Sequence, residues 1–155
     1  MVRRRHREDG SAAVEFALIA PLFIALLFGI ISYGYMLSFR QGISQAAAEG
    51  ARVFAVAPAG SPTLKADAVA AVNRSLSSYG ITCTTTGTLK KGASTVGTCS
   101  VPSTATACAN NAAARCARVE ITYSYRANPL VPSFPGLGIT LPQTLRYDTT
   151  VQVNS

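Results

Sequence analysis

Histidine is almost missing from this sequence, which excludes most catalytic chemistry that depends on it. The one histidine, His6, lies within the first ten residues, so neither a Ser/His nor a Cys/His arrangement is available further along the chain. No CxxC pair occurs, which argues against a zinc site. The GLG at residues 136–138 lacks both the strand–helix context and the lysine of a nucleotide-binding loop. The composition therefore favours a protein that is not an enzyme and that holds no metal and no cofactor.

Acidic residues are also few. After residue 40 the only acids are Glu49, Asp67, Glu120 and Asp148. Two of them could approach each other as a carboxylate pair, but nothing in their spacing requires it. We interpret them as solvated surface acids or as partners of nearby arginines.

Charge of either sign is scarce, at 14% of residues against about 25% in soluble domains. The scarcity is local: Glu15 is the only charged residue between Ser11 and Phe39, and residues 16–39 form an uncharged run of 24. As a helix this run would span about 36 Å, enough to cross a hydrocarbon core. The alternative is a buried core helix, but a domain of about 100 residues could hardly bury such a helix on all sides. The run predicts a transmembrane helix in contact with membrane lipid.

The net charge of +7 is unevenly distributed. Four basic residues precede the uncharged run, namely Arg3, Arg4, Arg5 and Arg7, whereas Arg40 follows it alone before a mostly neutral stretch. Basic flanks resist translocation, so we expect a cytoplasmic N-terminus and an exported C-terminal region. The remaining basic residues are scattered, with no basic face and no aromatic interleaving, which argues against nucleic-acid binding.

The four cysteines all lie in the region expected to be exported, and they are Cys83, Cys99, Cys108 and Cys116. An even number of cysteines in an oxidising compartment predicts two disulfides. Three pairings are possible, and the spacing does not choose among them.

The chain divides into three parts. Residues 1–10 form a polar cytoplasmic leader, residues 11–57 a transmembrane and continuing helix that stops at Pro58, and residues 58–155 an exported domain. Beyond Arg40 this helix has a narrow face of small residues, suited to close packing on another helix or on the domain's own sheet. A second, amphipathic helix is predicted at residues 62–79, with Ser61 as its cap and Pro62 at its first position.

The exported domain is expected to hold an antiparallel sheet of three or four strands, which gives an α+β fold. Strands are predicted at residues 81–86, 95–101, 117–126 and 144–153, with Lys90, Lys91 and Gly92 in a turn and residues 103–114 as an irregular loop. A core this small is usually marginal, which is a sufficient reason for disulfides.

Glu15 needs an explanation because a carboxylate in an apolar span costs free energy unless it is shallow enough to stay hydrated. One interpretation is that Glu15 lies shallow enough in the membrane for its carboxylate to stay hydrated. The second interpretation of Glu15 starts from Gly10, which precedes Ser11 and lies five residues before Glu15. Cleavage after Gly10 would place a new α-amino group one helical turn from Glu15. The acid could then neutralise the ammonium of its own chain or of a neighbouring subunit.

A short basic leader, a glycine and an apolar helix with glutamate at this spacing resemble the type IV prepilin signal. The blocks VEFALIAPLF, FGI and AAAEGAR narrow the resemblance to the TadE-like family of the tight-adherence (Tad/Flp) pilus system, over about residues 10–55. The resemblance implies cleavage by a prepilin peptidase between Gly10 and Ser11, with Glu15 and the adjacent Phe16 serving in recognition and assembly. It also implies other pilins or pseudopilins and the pilus assembly platform as partners.

The function expected from this resemblance is that of a pseudopilin or minor pilin-like structural component, required for pilus assembly and hence for adhesion. Its location would be the bacterial inner membrane, as a single-pass protein with its C-terminal domain periplasmic or extracellular, or the pilus itself. Small residues along the span would permit close helix approach. The alternative is a membrane-anchored exported binding module unrelated to pili, which would need neither Gly10 nor Glu15.

Overall fold

The computed structural model describes residues 8–58, 60–131 and 140–153, with side chains from residue 10 onward. Helix α1 (Glu8–Val56) is followed by helix α2 (Leu64–Leu76) and a single 3-10 turn (Ser77–Tyr79). The strands are β1 (Ile81–Cys83), β2 (Thr88–Lys91), β3 (Ser94–Ser100), β4 (Thr106–Cys108), β5 (Asn111–Tyr123) and β6 (Leu145–Val153). This architecture confirms the α+β class and the two-helix order predicted from the sequence.

The six strands form one antiparallel sheet with β5 at its centre. β6 pairs along one edge of β5, from Arg115 opposite Val153 to Tyr123 opposite Leu145. The other edge of β5 is shared, because β4 pairs near its start and β3 near its end. β2 and β1 then extend the sheet outward from β3.

The sheet has six strands where three or four were expected, because two stretches without alternating hydrophobicity form strands. Lys90 and Lys91, predicted to lie in a turn, belong to β2, and the turn follows at Gly92, whose φ of +59° suits glycine. The prediction of an irregular loop at residues 103–114 is also wrong, because this stretch forms strands. It contains β4 and the start of β5, joined by a tight turn and held by backbone pairing.

Helix α2 also begins later than predicted, at Leu64 with Thr63 as the N-cap, rather than at Pro62 capped by Ser61. Pro58 does end the first helix as expected, since α1 stops at Val56. Gly80, with φ +66°, terminates the 3-10 turn after α2 in the left-handed conformation.

The core lies where the second half of α1, helix α2 and the inner face of the sheet meet. Alternate residues of β5 point inward, and Val119, Ile121 and Tyr123 are each fully buried. From α1 the core receives buried residues at three- and four-residue spacing, which are Met36, Phe39, Ile43, Ala46, Ala47, Gly50, Ala51 and Phe54.

Candidate functional site

Helix α1 changes character along its length. Between residues 10 and 31, which we call the exposed segment, every side chain is exposed or half-exposed, including large apolar ones such as Phe16 (73%) and Leu18 (75%). Between Met36 and Phe54, the packed segment, one face is buried in the domain. One continuous helix therefore has one part built into the folded domain and another that projects from it.

By length and composition, α1 fits a membrane anchor. The stretch Gly10–Val56 has mean hydropathy 2.5 in its most apolar window, and no part of that window is buried. Pro21 lies inside the helix without ending it, a position that membrane helices tolerate better than soluble ones.

The residues predicted for processing and assembly all lie near the start of the exposed segment. Gly10, Ser11, Glu15 and Phe16 are on α1 and exposed, and the four-residue spacing of Ser11 and Glu15 puts both on one helix face. Among the described side chains, no lysine or arginine forms an ion pair with the Glu15 carboxylate. The arrangement leaves this carboxylate open to a cation from outside the described chain.

The packed segment begins with an aromatic cluster around Phe39. The Phe39 ring is fully buried, with ring centroids 4.9 Å from Tyr79 and 4.8 Å from Tyr123, both edge to face. Tyr125 lies 6.1 Å away, and the Tyr79 hydroxyl donates a hydrogen bond to the Ser38 carbonyl at 3.1 Å. Burial, reinforced by the neighbouring Tyr125, raises the pKa of Tyr123 to about 12. The cluster fixes the start of the packed segment to the 3-10 turn that follows α2 and to the sheet.

Further along the packed segment, small residues bring α1 close to α2. Ala46, Ala47 and Ala51 are fully buried, and Gly50 lies so close to α2 that an added Cβ would meet a Val72 methyl at 2.7 Å. The predicted small-residue face therefore packs against the domain's own second helix and sheet. This contact gives the AAAEGAR block a physical role, because bulkier side chains would separate the two helices.

The charged residues of that block face away from the contact. Glu49 and Arg52 are 53% and 71% exposed and form a loose ion pair at 3.8 Å. Such exposed pairs contribute little to stability. Their position agrees with the interpretation of a solvated pair.

Two of the remaining acids do meet, on the outer face of the sheet. Glu120 and Asp148 stand opposite each other on β5 and β6, with Arg118 within 3.4 Å of one and 3.2 Å of the other, and Arg146 donates to Glu120 at 2.9 Å. The like-charged pair is thus neutralised by two arginines. This arrangement is an ion-pair ladder, as the arginine-partner interpretation expected.

The structure pairs the cysteines as Cys83–Cys99 and Cys108–Cys116. The first bond joins β1 to β3, and the second joins β4 to β5 next to their connecting turn. All four predicted disulfide residues are oxidised. Among the described residues no group of three His, Cys, Asp or Glu could hold a metal ion.

Sequence reasoning missed three concave surfaces beside α1, because each is formed by residues far apart in the chain. A mainly apolar pocket of about 260 Å³ lies at the end of α1, between Phe54, Leu64, Val153 and Arg115. Two grooves of about 320 and 340 Å³ flank Arg40 and Tyr147, where α1 enters the domain. The Arg40 Nε donates a hydrogen bond to the Tyr147 hydroxyl, and its guanidinium carbon lies 5.6 Å from the centre of that ring.

A family model described as TadE-like protein matches residues 10–52, the exposed segment and most of the packed segment. No curated protein and no solved structure matches the chain significantly. The family match confirms the resemblance predicted from the VEFALIAPLF and AAAEGAR blocks.

Proposed function

We propose that the chain is a pseudopilin or minor pilin-like structural component required for assembly of a Tad/Flp type IV pilus, and the match of residues 10–52 to the TadE-like family model supports this proposal. The observation that carries the proposal is the division of α1. Its first 22 described side-chain positions, residues 10–31, project from the domain, while its second half is part of the core. A helix of this kind can hold a domain at a membrane and present an apolar surface to other helices.

In this proposal the exposed segment spans the inner membrane, with the leader cytoplasmic and the sheet domain on the outer side. The basic leader and the neutral stretch after Arg40 support that orientation. The 22 residues would extend about 33 Å as a helix, close to the thickness of a hydrocarbon core. The two disulfides fit an oxidising outer compartment.

Assembly would use the exposed segment as a helix-packing surface. Lipid is as apolar as the side chains, so helices associate in a bilayer through close van der Waals contact and through polar groups that find partners. Ala13, Ala17 and Ala20 allow close approach. Glu15 supplies the polar group, and its partner would be the α-amino group that a prepilin peptidase releases at Ser11 of a neighbouring pilin-class subunit or of this chain.

The proposal is tested by replacing the chromosomal gene with a Glu15→Gln variant and counting pili by electron microscopy. Glu49→Gln is the matched control, because Glu49 is an exposed glutamate on the same helix outside the exposed segment. We expect Glu15→Gln to reduce piliation strongly and Glu49→Gln to leave it unchanged, with both proteins present in the membrane at normal amounts. Normal piliation in the Glu15→Gln strain and in a strain that lacks the protein would contradict a role in assembly.

Processing is tested separately by intact mass and N-terminal sequencing of the protein purified from its native membrane. The expected chain begins at Ser11 and has lost the mass of MVRRRHREDG. A chain that still begins at Met1 or Val2 would contradict the peptidase step and the pairing of Glu15 with an ammonium group.

A membrane-anchored binding module unrelated to pili is the second candidate, and the apolar pocket beside Phe54 and Arg115 is the observation that favours it. Its volume suits a small apolar group with an anionic end. Such a module would need α1 only as an anchor, so normal piliation after gene deletion would favour it over the pseudopilin.

A further inference from the structure

The two grooves beside Arg40 lie at a particular point on α1. Arg40 is the first charged residue after the uncharged run of 24, and it stands at the start of the packed segment. If the exposed segment crosses the bilayer, as the proposed function requires, Arg40 stands nine residues beyond its end at residue 31, about 14 Å further along α1 on the side of the outer lipid headgroups. The exposed aromatic rings of Tyr33 (55%) and Tyr35 (38%) are less than two helical turns below it, the depth at which tyrosine is enriched.

The Arg40 side chain is held in place but is not neutralised. Its Nε donates to the Tyr147 hydroxyl, and its guanidinium carbon lies 5.6 Å from the centre of that ring, so one of its donors is used within the chain. Among the described residues, no carboxylate forms an ion pair with Arg40 and no acceptor takes a hydrogen bond from its terminal nitrogens. A guanidinium fixed in this way presents the pair of donors that matches two oxygens of a phosphate.

The surroundings of Arg40 provide room for a headgroup. The groove on one side is lined by Leu37, Gln41 and Ser44 of α1, which offer one apolar and two polar side chains. The groove on the other side is lined by Met36, Pro142, Thr144, Leu145 and Arg146, and adds a second cation. Arg146 is already paired with Glu120 at 2.9 Å, so Arg40 carries the uncompensated charge.

We propose that Arg40, positioned by Tyr147, binds the phosphate of an anionic phospholipid in the outer leaflet. The acyl chains would lie along the apolar surface of α1 below Leu37, which is itself 41% exposed. The headgroup would occupy the groove formed with Gln41 and Ser44. Bound lipid would then fix the depth and the tilt at which the domain stands on the membrane.

The test measures lipid binding to the full chain in detergent by native mass spectrometry, with phosphatidylglycerol as the probe. Arg40→Gln should weaken phosphatidylglycerol binding about fivefold, the effect of about one interfacial cation. Arg52→Gln is the matched control. Arg52 is an exposed arginine of the same helix, about 18 Å further along, and this variant should bind as the unmodified chain does. Equal binding by all three proteins would overturn the proposal.

Two further measurements test which phosphate compound binds and whether two donors of Arg40 are needed. Phosphatidylcholine and inorganic phosphate should compete poorly, and displacement of phosphatidylglycerol by millimolar inorganic phosphate would overturn the lipid assignment. Arg40→Lys keeps the positive charge but loses the paired N–H donors of the guanidinium. Binding by Arg40→Lys as strong as that of the unmodified chain would overturn the claim that two donors of Arg40 bind the phosphate.

Incorporation into bilayer nanodiscs separates this proposal from the proposed function on which it rests. Failure of the unmodified chain to incorporate would contradict membrane anchoring itself. Normal incorporation of every variant, with unchanged lipid binding by Arg40→Gln, would overturn the lipid site and leave the anchor intact. Unchanged thermal unfolding of Arg40→Gln is expected, because the side chain is exposed.

Discussion

Replacing Phe39 by alanine tests whether the second half of α1 belongs to the core of the domain. The Phe39 side chain is fully buried and contacts Tyr79 and Tyr123 edge to face, with centroid distances of 4.9 and 4.8 Å. Truncation of a buried phenylalanine costs about 3–5 kcal/mol, because the transfer free energy is lost and a cavity remains. A folded domain has only about 5–15 kcal/mol of stability, so this one change removes a large share of it.

The matched control is Phe23→Ala, the same substitution on the same helix at a side chain that is 66% exposed. For a domain of about 100 residues, 1 kcal/mol shifts the melting temperature by about 4–8 °C. We therefore expect Phe39→Ala to lower the melting temperature by about 12–40 °C, and Phe23→Ala to change it by less than about 3 °C.

The measurement is thermal unfolding of the full chain in a mild detergent, followed by near-ultraviolet circular dichroism. The chain contains no tryptophan, so its tyrosines dominate this signal, and three of the six are within the Phe39 cluster. A loss of less than about 5 °C in Phe39→Ala, or an equal loss in Phe23→Ala, would refute the division of α1 into an exposed and a packed segment.

Three further predictions concern the exported domain. Gly97→Ala should prevent normal pairing of β3 with β5, since the new Cβ would lie 2.0 Å from the Thr122 carbonyl oxygen; native-like near-ultraviolet dichroism of that variant would contradict the register. Removing the Cys83–Cys99 bond by a double alanine substitution should cost about 3 kcal/mol, measured by urea unfolding, because the bond closes a loop with sequence separation 16; unchanged stability would contradict the pairing. Because the pKa of Tyr123 is raised to about 12, its phenol stays protonated in the folded state at a pH where the same phenol in the unfolded chain ionises, near pH 10. Its contribution to stability is therefore complete below pH 10 and is lost as the pH rises toward 12. In urea unfolding from pH 9 to 11.5, Tyr123→Phe should therefore show a smaller alkaline loss of stability than the unmodified chain, and equal losses would contradict the assignment.

Local pattern was sufficient to predict the elements whose burial repeats regularly. The three- and four-residue spacing beyond Arg40 predicted that this part of α1 packs, but the buried face already begins at Met36, within the run predicted to cross the membrane. The alternation in residues 117–126 and 144–153 indicated the two longest strands, β5 and β6. Regular repeats are visible in sequence because each residue's environment follows from its position within one element.

Features that depend on neighbouring elements could not be predicted in this way. Lys90 and Lys91 form a strand because β3 and β1 supply backbone partners on both sides, although neither lysine has a high strand preference. The cysteine pairing follows from the order of strands in the sheet, which the spacing of the cysteines does not encode. The Arg40–Tyr147 contact joins residues 107 positions apart, so the sequence gives no local sign of it.

The most direct test of the central claim is photo-cross-linking in native membranes from a benzoylphenylalanine introduced at Phe23, with the same reagent at Thr98 on the exposed face of β3 as the comparison. Phe23 is exposed on the helix and lies within the segment proposed to pack against other helices. The account predicts that Phe23 is cross-linked to the transmembrane helix of a pilin or another pseudopilin, and that Glu15→Gln reduces the yield. Cross-linking of Phe23 to lipid alone, in cells that make pili normally, would contradict the claim that this segment is an assembly surface.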